Sequence, residues 1–396
     1  PAPGGAAAPR NSELHASGRT PILRGRFQTK RKVLPMTRAY NFNAGPAALP
    51  LEVLQAAEKE FVDFAGTGMS VMEHSHRGKA YAAVHDEAVT NMAKLLGVGD
   101  DYQILFLQGG ASTQFSMVPM NLLLPGQSAD YVVTGAWASK ALKEAKKVGT
   151  VNVLADTAKI IPTTMPDFAA LNYAKDAAYV HVTSNETIAG TEIHEFPDTG
   201  EVPLVADMSS DILSRKLDFT KFGLIYAGAQ KNLGPSGVTL VCIRKDLIER
   251  APETLPTMMQ YRTHAANNSL YNTPPTFGIY ILMLVTRWLL EKGGVEGIEK
   301  INRAKAAKLY KAIDESGGFY KPTADKAFRS IMNVTWRLAS EELEAKFVKE
   351  ATAADMIGLK GHRSVGGIRA SIYNAVPEEA VDALISFMAE FQRVNG

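Results

Sequence analysis

Between residues 103 and 243 the chain repeats short, unbroken apolar runs separated by polar or helical stretches. The runs are Gln103–Leu107, Tyr131–Thr134, Tyr179–Val182, Leu204–Ala206, Leu224–Ala227 and Val238–Ile243, with a helix over Ser139–Lys147 between the second and third. A strand wetted on one face alternates apolar and polar residues; a continuous apolar run needs cover on both faces, and helices supply it. The pattern predicts an α/β fold with a mixed, mostly parallel sheet. Pro50 opens a helix from Leu51 to about Phe64, and a second helix runs from about Tyr81 to Leu96, where Gly97 ends it. Together these elements predict a large domain over residues 52–293. After Gly293-Gly294 the texture changes: helices at about Val295–Ser316, Glu341–Ala353 and Pro377–Val394 flank strands at Ser330–Trp336 and Ile368–Tyr373. A smaller α+β domain, made of residues 36–51 and 294–396, is expected there.

Composition narrows the function classes. A chain of 396 residues, 46% hydrophobic and 21% charged, can bury a large core. Its single cysteine, Cys242, cannot build a disulfide framework, a cysteine zinc cluster or an iron–sulfur centre. The net charge of +2 is uneven: residues 1–35 hold seven basic residues and one acid, leaving 36 basic against 40 acidic in the remainder. A slightly acidic body removes the main support for nucleic-acid binding. The longest apolar stretch, Phe277 to Leu290, is broken by Arg287 and falls short of the ~20 residues of a membrane span, so a buried helix is expected. Residues 1–35, rich in Ala, Gly, Pro and Arg and without apolar period, read as a disordered or appended tail, with Met36 as the natural start.

The strongest chemical signal is Tyr226-Ala227-Gly228-Ala229-Gln230-Lys231-Asn232, where one lysine follows a strand among small residues. Small neighbours leave space for a flat ring, and a lysine in an apolar site or near a cation loses its proton readily and becomes a nucleophile. Asp207 follows the strand Leu204–Ala206, 24 residues before Lys231. An acid at the carboxyl end of a buried strand points into the ligand crevice. Pyridoxal phosphate needs this pair: a Schiff-base lysine, and a carboxylate that keeps the pyridine nitrogen protonated. Its phosphate needs a seat, and Gln108-Gly109-Gly110-Ala111-Ser112-Thr113-Gln114, between a strand and a helical run, offers backbone N–H groups. That spacing fits neither a dinucleotide fingerprint nor a nucleotide-hydrolase loop. Trp137, after the strand Tyr131–Thr134, is placed to stack on the ring. Each residue also has a plainer reading: Lys231 a solvated loop lysine, Asp207 a helix cap before Ser209 and Ser210, Trp137 a core residue.

Two basic clusters bear on the substrate: His74-Ser75-His76-Arg77-Gly78, and Gly361-His362-Arg363 followed by Arg369. Arginine grips carboxylate or phosphate through a planar fork, and histidine adds a donor, so the clusters suit a ligand with several negative charges. Surface basic patches are the plain alternative. Metal binding lacks support, because these histidines have no neighbouring cysteine and, beyond Glu73, no neighbouring carboxylate partner.

Assembled, these residues resemble the phosphoserine aminotransferases, pyridoxal-phosphate enzymes of fold type I within the class-V aminotransferases, and above all bacterial members of the Bacillus type. The resemblance runs from about Tyr40 to the C-terminus and is densest at Asn41–Pro46, Ser75–Gly78, Gln108–Ser112, Ser184–Thr187, Ala206–Ser210, Ala229–Asn232, Tyr271–Pro275 and His362–Arg369. It implies transfer of the amino group of L-glutamate to 3-phosphohydroxypyruvate, giving O-phospho-L-serine and 2-oxoglutarate in serine biosynthesis. The 4-phosphohydroxythreonine reaction of pyridoxine biosynthesis is the related alternative. It implies that Lys231 carries the cofactor and shuttles protons, that Asp207 pairs with the ring nitrogen, and that Trp137 stacks. Thr187 would bond the ring hydroxyl side; Ala111, Ser112 and Gln230 would hold the phosphate. A cytoplasmic homodimer is implied, with Asn272 and Thr273 contributed across the interface and no nucleic-acid or membrane partner. Arg369 would grip the substrate α-carboxylate, and His76, Arg77, His362 and Arg363 the distal phosphate or carboxylate. Residues 1–35 and His74 depart from the pattern.

Competing readings are a cysteine desulfurase, which would need Cys242 as a mobile nucleophile, and an alanine–glyoxylate-type transaminase, whose small substrate would not need His362 and Arg363. A noncatalytic binder of phosphometabolites or nucleic acid is the alternative from a different class.

Overall fold

The six apolar runs are strands of one sheet. A computed structural model of the protein describes residues 38–396, of which Ala39–Gly396 form one compact unit. The tail expected over residues 1–35 lies outside the described residues. In chain order the strands are β1 (Tyr102–Leu107), β2 (Ser128–Val133), β3 (Thr150–Asp156), β4 (Val180–Thr183), β5 (Leu204–Asp207), β6 (Leu224–Gly228) and β7 (Thr239–Arg244). Across the sheet they stand β1-β7-β6-β5-β4-β2-β3. β7 runs antiparallel to both its neighbours, and the remaining pairs are parallel. Because β1 and β6 both oppose β7, β1 points the same way as β2–β6. Six carboxyl ends therefore share one edge of the sheet.

The side chains explain why the strands read as unbroken apolar runs. Ile104, Phe106, Leu204, Ala206, Ile225 and Ala227 enter the core on one face, while their neighbours Leu105, Leu107, Val205, Leu224 and Tyr226 enter the core on the other. Five helices cover these faces: α1 (Leu51–Glu60), α2 (Lys79–Leu96), α3 (Gly110–Leu122), α4 (Ala136–Ala145) and α5 (Thr276–Glu291). Val53, Val84, Met92 and Leu282 of α1, α2 and α5 join the first core; Phe115, Val118 and Ala141 of α3 and α4 join the second. Truncating one such side chain, Leu282→Ala for instance, would cost about 2–5 kcal/mol.

A third core lies in the C-terminal region. Helices α6 (Gly294–Asp314), α7 (Glu341–Ala353) and α8 (Glu378–Asn395) accompany an antiparallel sheet of β8 (Lys321–Pro322), β9 (Asn333–Arg337) and β10 (Ile368–Ser371). Trp336, Phe347, Ile372, Leu384 and Phe391 fill it, and Phe42 and Ala48 join them from the N-terminal side. Tyr40–Asn41 pairs in parallel with Met356–Ile357, which holds that segment in place.

Three boundaries differ from expectation. β3 is not among the expected strands, because it is the sheet edge and its sequence, Thr150-Val151-Asn152-Val153-Leu154-Ala155-Asp156, is largely exposed and apolar only in places. α1 ends at Glu60 rather than near Phe64; Phe64 turns into the core through a tight turn in which Ala65 takes φ 51°. α4 begins at Ala136, three residues before Ser139. The apolar stretch Phe277 to Leu290 is α5, buried along most of its length, and no described helix is long and apolar enough to cross a membrane.

Candidate active site

The shared carboxyl edge gathers the chemistry. Ala111 and Ser112 open α3 after β1, Trp137 opens α4 after β2, Thr187 follows β4, Asp207 ends β5, and Lys231 follows β6. All of them, with Gln230, line one cavity of about 350 Å³. The turn after β1 depends on glycine: Gly109 takes φ 89°, and a Cβ there would fall 2.0 Å from Thr113 Oγ1. That turn lets α3 start abruptly at the cavity wall. Its first N–H groups, which have no partner within the helix, are thus available to an anion.

Lys231 is buried, and its Nζ donates to Thr187 Oγ1 at 2.9 Å. The same nitrogen lies 5.7 Å from the centroid of the Trp137 ring. The N-terminal segment packs against it: Ala47 N–H donates to Gln230 O at 2.9 Å, and Gly45, at φ 143°, would place a Cβ 3.4 Å from Lys231 Cγ. Burial pulls the ammonium down from 10.5 to about 8; Asp207 opposes that shift and Arg369 reinforces it. Asp207 is equally enclosed. Its Oδ1 accepts from the Ser209 N–H at 2.9 Å and the Ser209 hydroxyl at 2.6 Å, and Ser209 Oγ accepts from Gly228 N–H at 3.1 Å. Burial raises its carboxyl above the usual range against the pull of Ser209 and Lys231. Both Ser209 bonds fall on Oδ1, which leaves Oδ2 for a ligand. The plain reading of Asp207 as a helix cap fails, because a series of turns follows it rather than a helix.

Three polar atoms of residues lining the cavity are buried without partners, Thr183 Oγ1, Asn185 Oδ1 and Trp137 Nε1. Such orphans are costly unless a ligand satisfies them. Arg369, on β10, reaches toward the same place: its Nη1 donates to Thr187 O at 3.4 Å, and its Nε is buried and unpaired. Arg369 and His362 also line a neighbouring, mainly apolar cavity of about 400 Å³. Burial, then the charges of Arg369, Arg363 and Lys140, hold the His362 imidazole below its usual range. Arg363 itself is exposed.

Four more predicted residues stand apart from the lysine cavity, beyond Arg369, His362 and Arg363. Arg77 Nη2 lies 3.5 Å from Tyr271 O, so the His76–Arg77 turn and the Asn272–Thr273 loop form one patch. Gln108 Nε2 donates to Thr273 O at 3.3 Å, and Asn272 lines a separate cavity of about 230 Å³. His74 turns away and sits 2.9 Å from Thr67 Oγ1. Cys242 is buried within β7, where burial pushes its thiol up to about 12, so it is not a nucleophile. Sequence reasoning gave no role to Ser209 or Glu186. The spacing of Asp207 and Ser209, two residues apart, is that of a side chain bonding the backbone N–H ahead of it, and could have exposed the first. Glu186 carries no local signal.

The class-V aminotransferase family model matches residues 39–384. A phosphoserine aminotransferase of Geobacillus kaustophilus is 62% identical over 358 residues, 90% of this chain and 99% of its own length. The solved structure of the phosphoserine aminotransferase from Bacillus circulans subsp. alkalophilus superposes with a TM-score of 0.88 at 58% identity, covering 91% of this chain and 100% of that one. A pyridoxal-phosphate-bound phosphoserine aminotransferase from Trichomonas vaginalis gives a TM-score of 0.85 at 43% identity, covering 89% and 100%. With a buried lysine and acid at the carboxyl edge of a fold type I sheet, a family model spanning most of its length and relatives of this similarity, the chain belongs to the phosphoserine aminotransferases of class V.

Proposed function

We propose that the protein transfers the amino group of L-glutamate to 3-phosphohydroxypyruvate, yielding O-phospho-L-serine and 2-oxoglutarate, a step of serine biosynthesis carried out in the cytoplasm. The observation that carries this reading is the buried Lys231 amine, bonded to Thr187 and enclosed with Asp207 beneath the Trp137 ring. Its cofactor is pyridoxal phosphate. The residues present fit that group: a cavity of about 350 Å³, a helix start for the phosphate, an indole wall, and an unpaired Thr183 hydroxyl. When bound, it supplies an aldehyde that takes up the amino group and a pyridine ring that accepts the electron pair left at the α-carbon.

Lys231 would hold the aldehyde carbon. With its ammonium at about 8, a useful fraction of the amine is neutral near neutral pH, so the same nitrogen can move the proton at the substrate α-carbon. Asp207 would hold the proton on the ring nitrogen through the oxygen that Ser209 leaves free. Trp137 would stack on the ring, Thr187 would take the ring hydroxyl side, and Ala111, Ser112 and Gln230 would seat the phosphate. Arg369 grips the substrate α-carboxylate, which would satisfy its unpaired Nε. His362 and Arg363 take the distal anion of either substrate, because a forked cation accepts carboxylate and phosphate alike.

The remaining residues complete the site from a second subunit in this reading. Asn272 and Thr273 share a patch with Arg77, and none of them lines the cavity of Lys231 in its own protomer. His76 and Arg77 therefore serve the partner's site together with that loop. The division into a large part, residues 52–293, and a smaller part, residues 36–51 and 294–396, puts Lys231 on one and Arg369 on the other, so that a substrate held by its α-carboxylate and reacting at Lys231 would bridge the two.

A coupled assay with glutamate and 3-phosphohydroxypyruvate, with pyruvate and oxaloacetate as controls, tests the assignment. Strong preference for the phosphorylated substrate is expected; equal turnover of pyruvate would overturn it. Mixing subunits that carry Lys231→Ala with subunits that carry Arg77→Ala should restore activity in hybrid dimers, and no recovery would refute the shared site.

A further inference from the structure

We infer that Glu186 is a positioning residue for the cofactor: its carboxylate ties the first turn of α4, and with it the indole of Trp137, to the segment after β4 that carries Thr187. The inference deepens the proposed function and rests on it.

α4 starts behind Gly135, which has no side chain to cap the helix. The first N–H groups of a helix need acceptors from elsewhere. Glu186 Oε2 accepts from Trp137 N–H at 3.3 Å, and Oε1 accepts from Ala138 N–H at 3.1 Å. Those are the positions that a local Ser or Asp cap would satisfy. Here the acceptor comes from 49 residues further along the chain. Gly135 is glycine for the same reason, since a Cβ there would lie 2.3 Å from Glu186 Cδ.

The carboxylate is fully buried, with 0% exposure. A buried charge is costly unless hydrogen bonds and a favourable field offset it, and the positive end of α4 supplies both. Burial still lifts its carboxyl to about 7, against the two N–H donors; the charged groups facing it are Asp207, which adds to the rise, and Lys231, which opposes it. Its place in the chain gives the contact a second consequence. Glu186 directly precedes Thr187, the acceptor of the Lys231 amine, so the indole wall and the lysine's partner hang on one anchor. Displacements of about 1 Å at reacting groups can cost ~10²-fold in rate.

The test uses the reconstituted holoenzyme in three forms, wild type, Glu186→Gln and Glu186→Ala. It reads pyridoxal-phosphate affinity by dialysis, visible circular dichroism, the pH midpoint of the visible absorption band, and kcat and KM. Glu186→Ala should weaken cofactor binding about tenfold or more, the scale of a lost charge-assisted hydrogen bond. Its visible dichroism should fall, and kcat should drop more than KM rises. Glu186→Gln keeps the shape and one acceptor but removes the charge. Its affinity should stay within about threefold of wild type, and its absorption midpoint should move to lower pH, because an anion that favours the protonated nitrogen at Lys231 is gone. Folded variants with wild-type affinity, dichroism and pH midpoint would overturn the inference, as would a fall in melting temperature with nothing else changed. If Glu186→Ala does not fold, the midpoint of Glu186→Gln decides. A wild type that does not hold the cofactor at Lys231 removes the proposed function and this inference with it; unchanged variants beside a normally loaded wild type remove this inference alone.

Discussion

The floor of the site and its rim are built in opposite ways. On the floor, Lys231, Asp207, Thr187 and Glu186 are buried and already paired with one another or with backbone groups. At the rim, Arg77 and Arg363 are exposed, and the Arg77 guanidinium makes a long contact of 3.5 Å to the backbone of Tyr271. The contrast teaches where each task is solved. The proton transfer proposed for Lys231 needs groups held in place and shifted in pKa ahead of the substrate's arrival, and burial favours both. In the proposed function, recognition of the distal anion falls to cations on exposed loops, which stay hydrated until a ligand binds.

The contrast predicts effects of very different size. Removing the floor amine, Lys231→Ala, should lower turnover by at least about 10³-fold while some cofactor binding persists at the phosphate seat. Steady-state kinetics and dialysis check both halves, and near-normal turnover would refute the role. Asp207→Asn should lower kcat by about 10²–10³-fold with little change in KM, as expected when a preorganised charge is lost. In the cofactor-free protein, Lys231 should react with an amine-directed reagent with a midpoint near pH 8 rather than 10.5. The sign follows from burial: the neutral amine is favoured, so labelling rises through pH 8 and is lost below it. At the rim, Arg363→Ala should raise KM for 3-phosphohydroxypyruvate about fivefold and leave short 2-oxo acids nearly unaffected, the upper scale of one exposed cation–anion contact. An equal loss for both substrates would mean that Arg363 acts through structure.

The same division explains what the sequence makes legible. Floor residues sit on strands buried on both faces, and such strands announce themselves as unbroken apolar runs, so the amino-acid order alone places Lys231 and Asp207 at strand ends. β3 is hidden because an edge strand carries Asn152 and Thr150 toward solvent and breaks the run. The start of α4 is misplaced by three residues because its cap comes from Glu186, across the fold, and Gly135 gives no local sign of it. Glu186 itself lies inside a segment of the family resemblance, yet its task depends on the approach of two chain segments that no periodicity encodes. For His76 and Arg77 the residue types point to anion binding, and for Asn272 and Thr273 the family resemblance does, but the patch that joins the two pairs emerges only in three dimensions.

Every other role in the proposed reaction depends on the amine of residue 231 carrying the cofactor. Borohydride reduction of the yellow holoenzyme, followed by peptide mass mapping, tests it directly. A single phosphopyridoxyl group on Lys231 is the predicted result; a label on another lysine, or none, would contradict it.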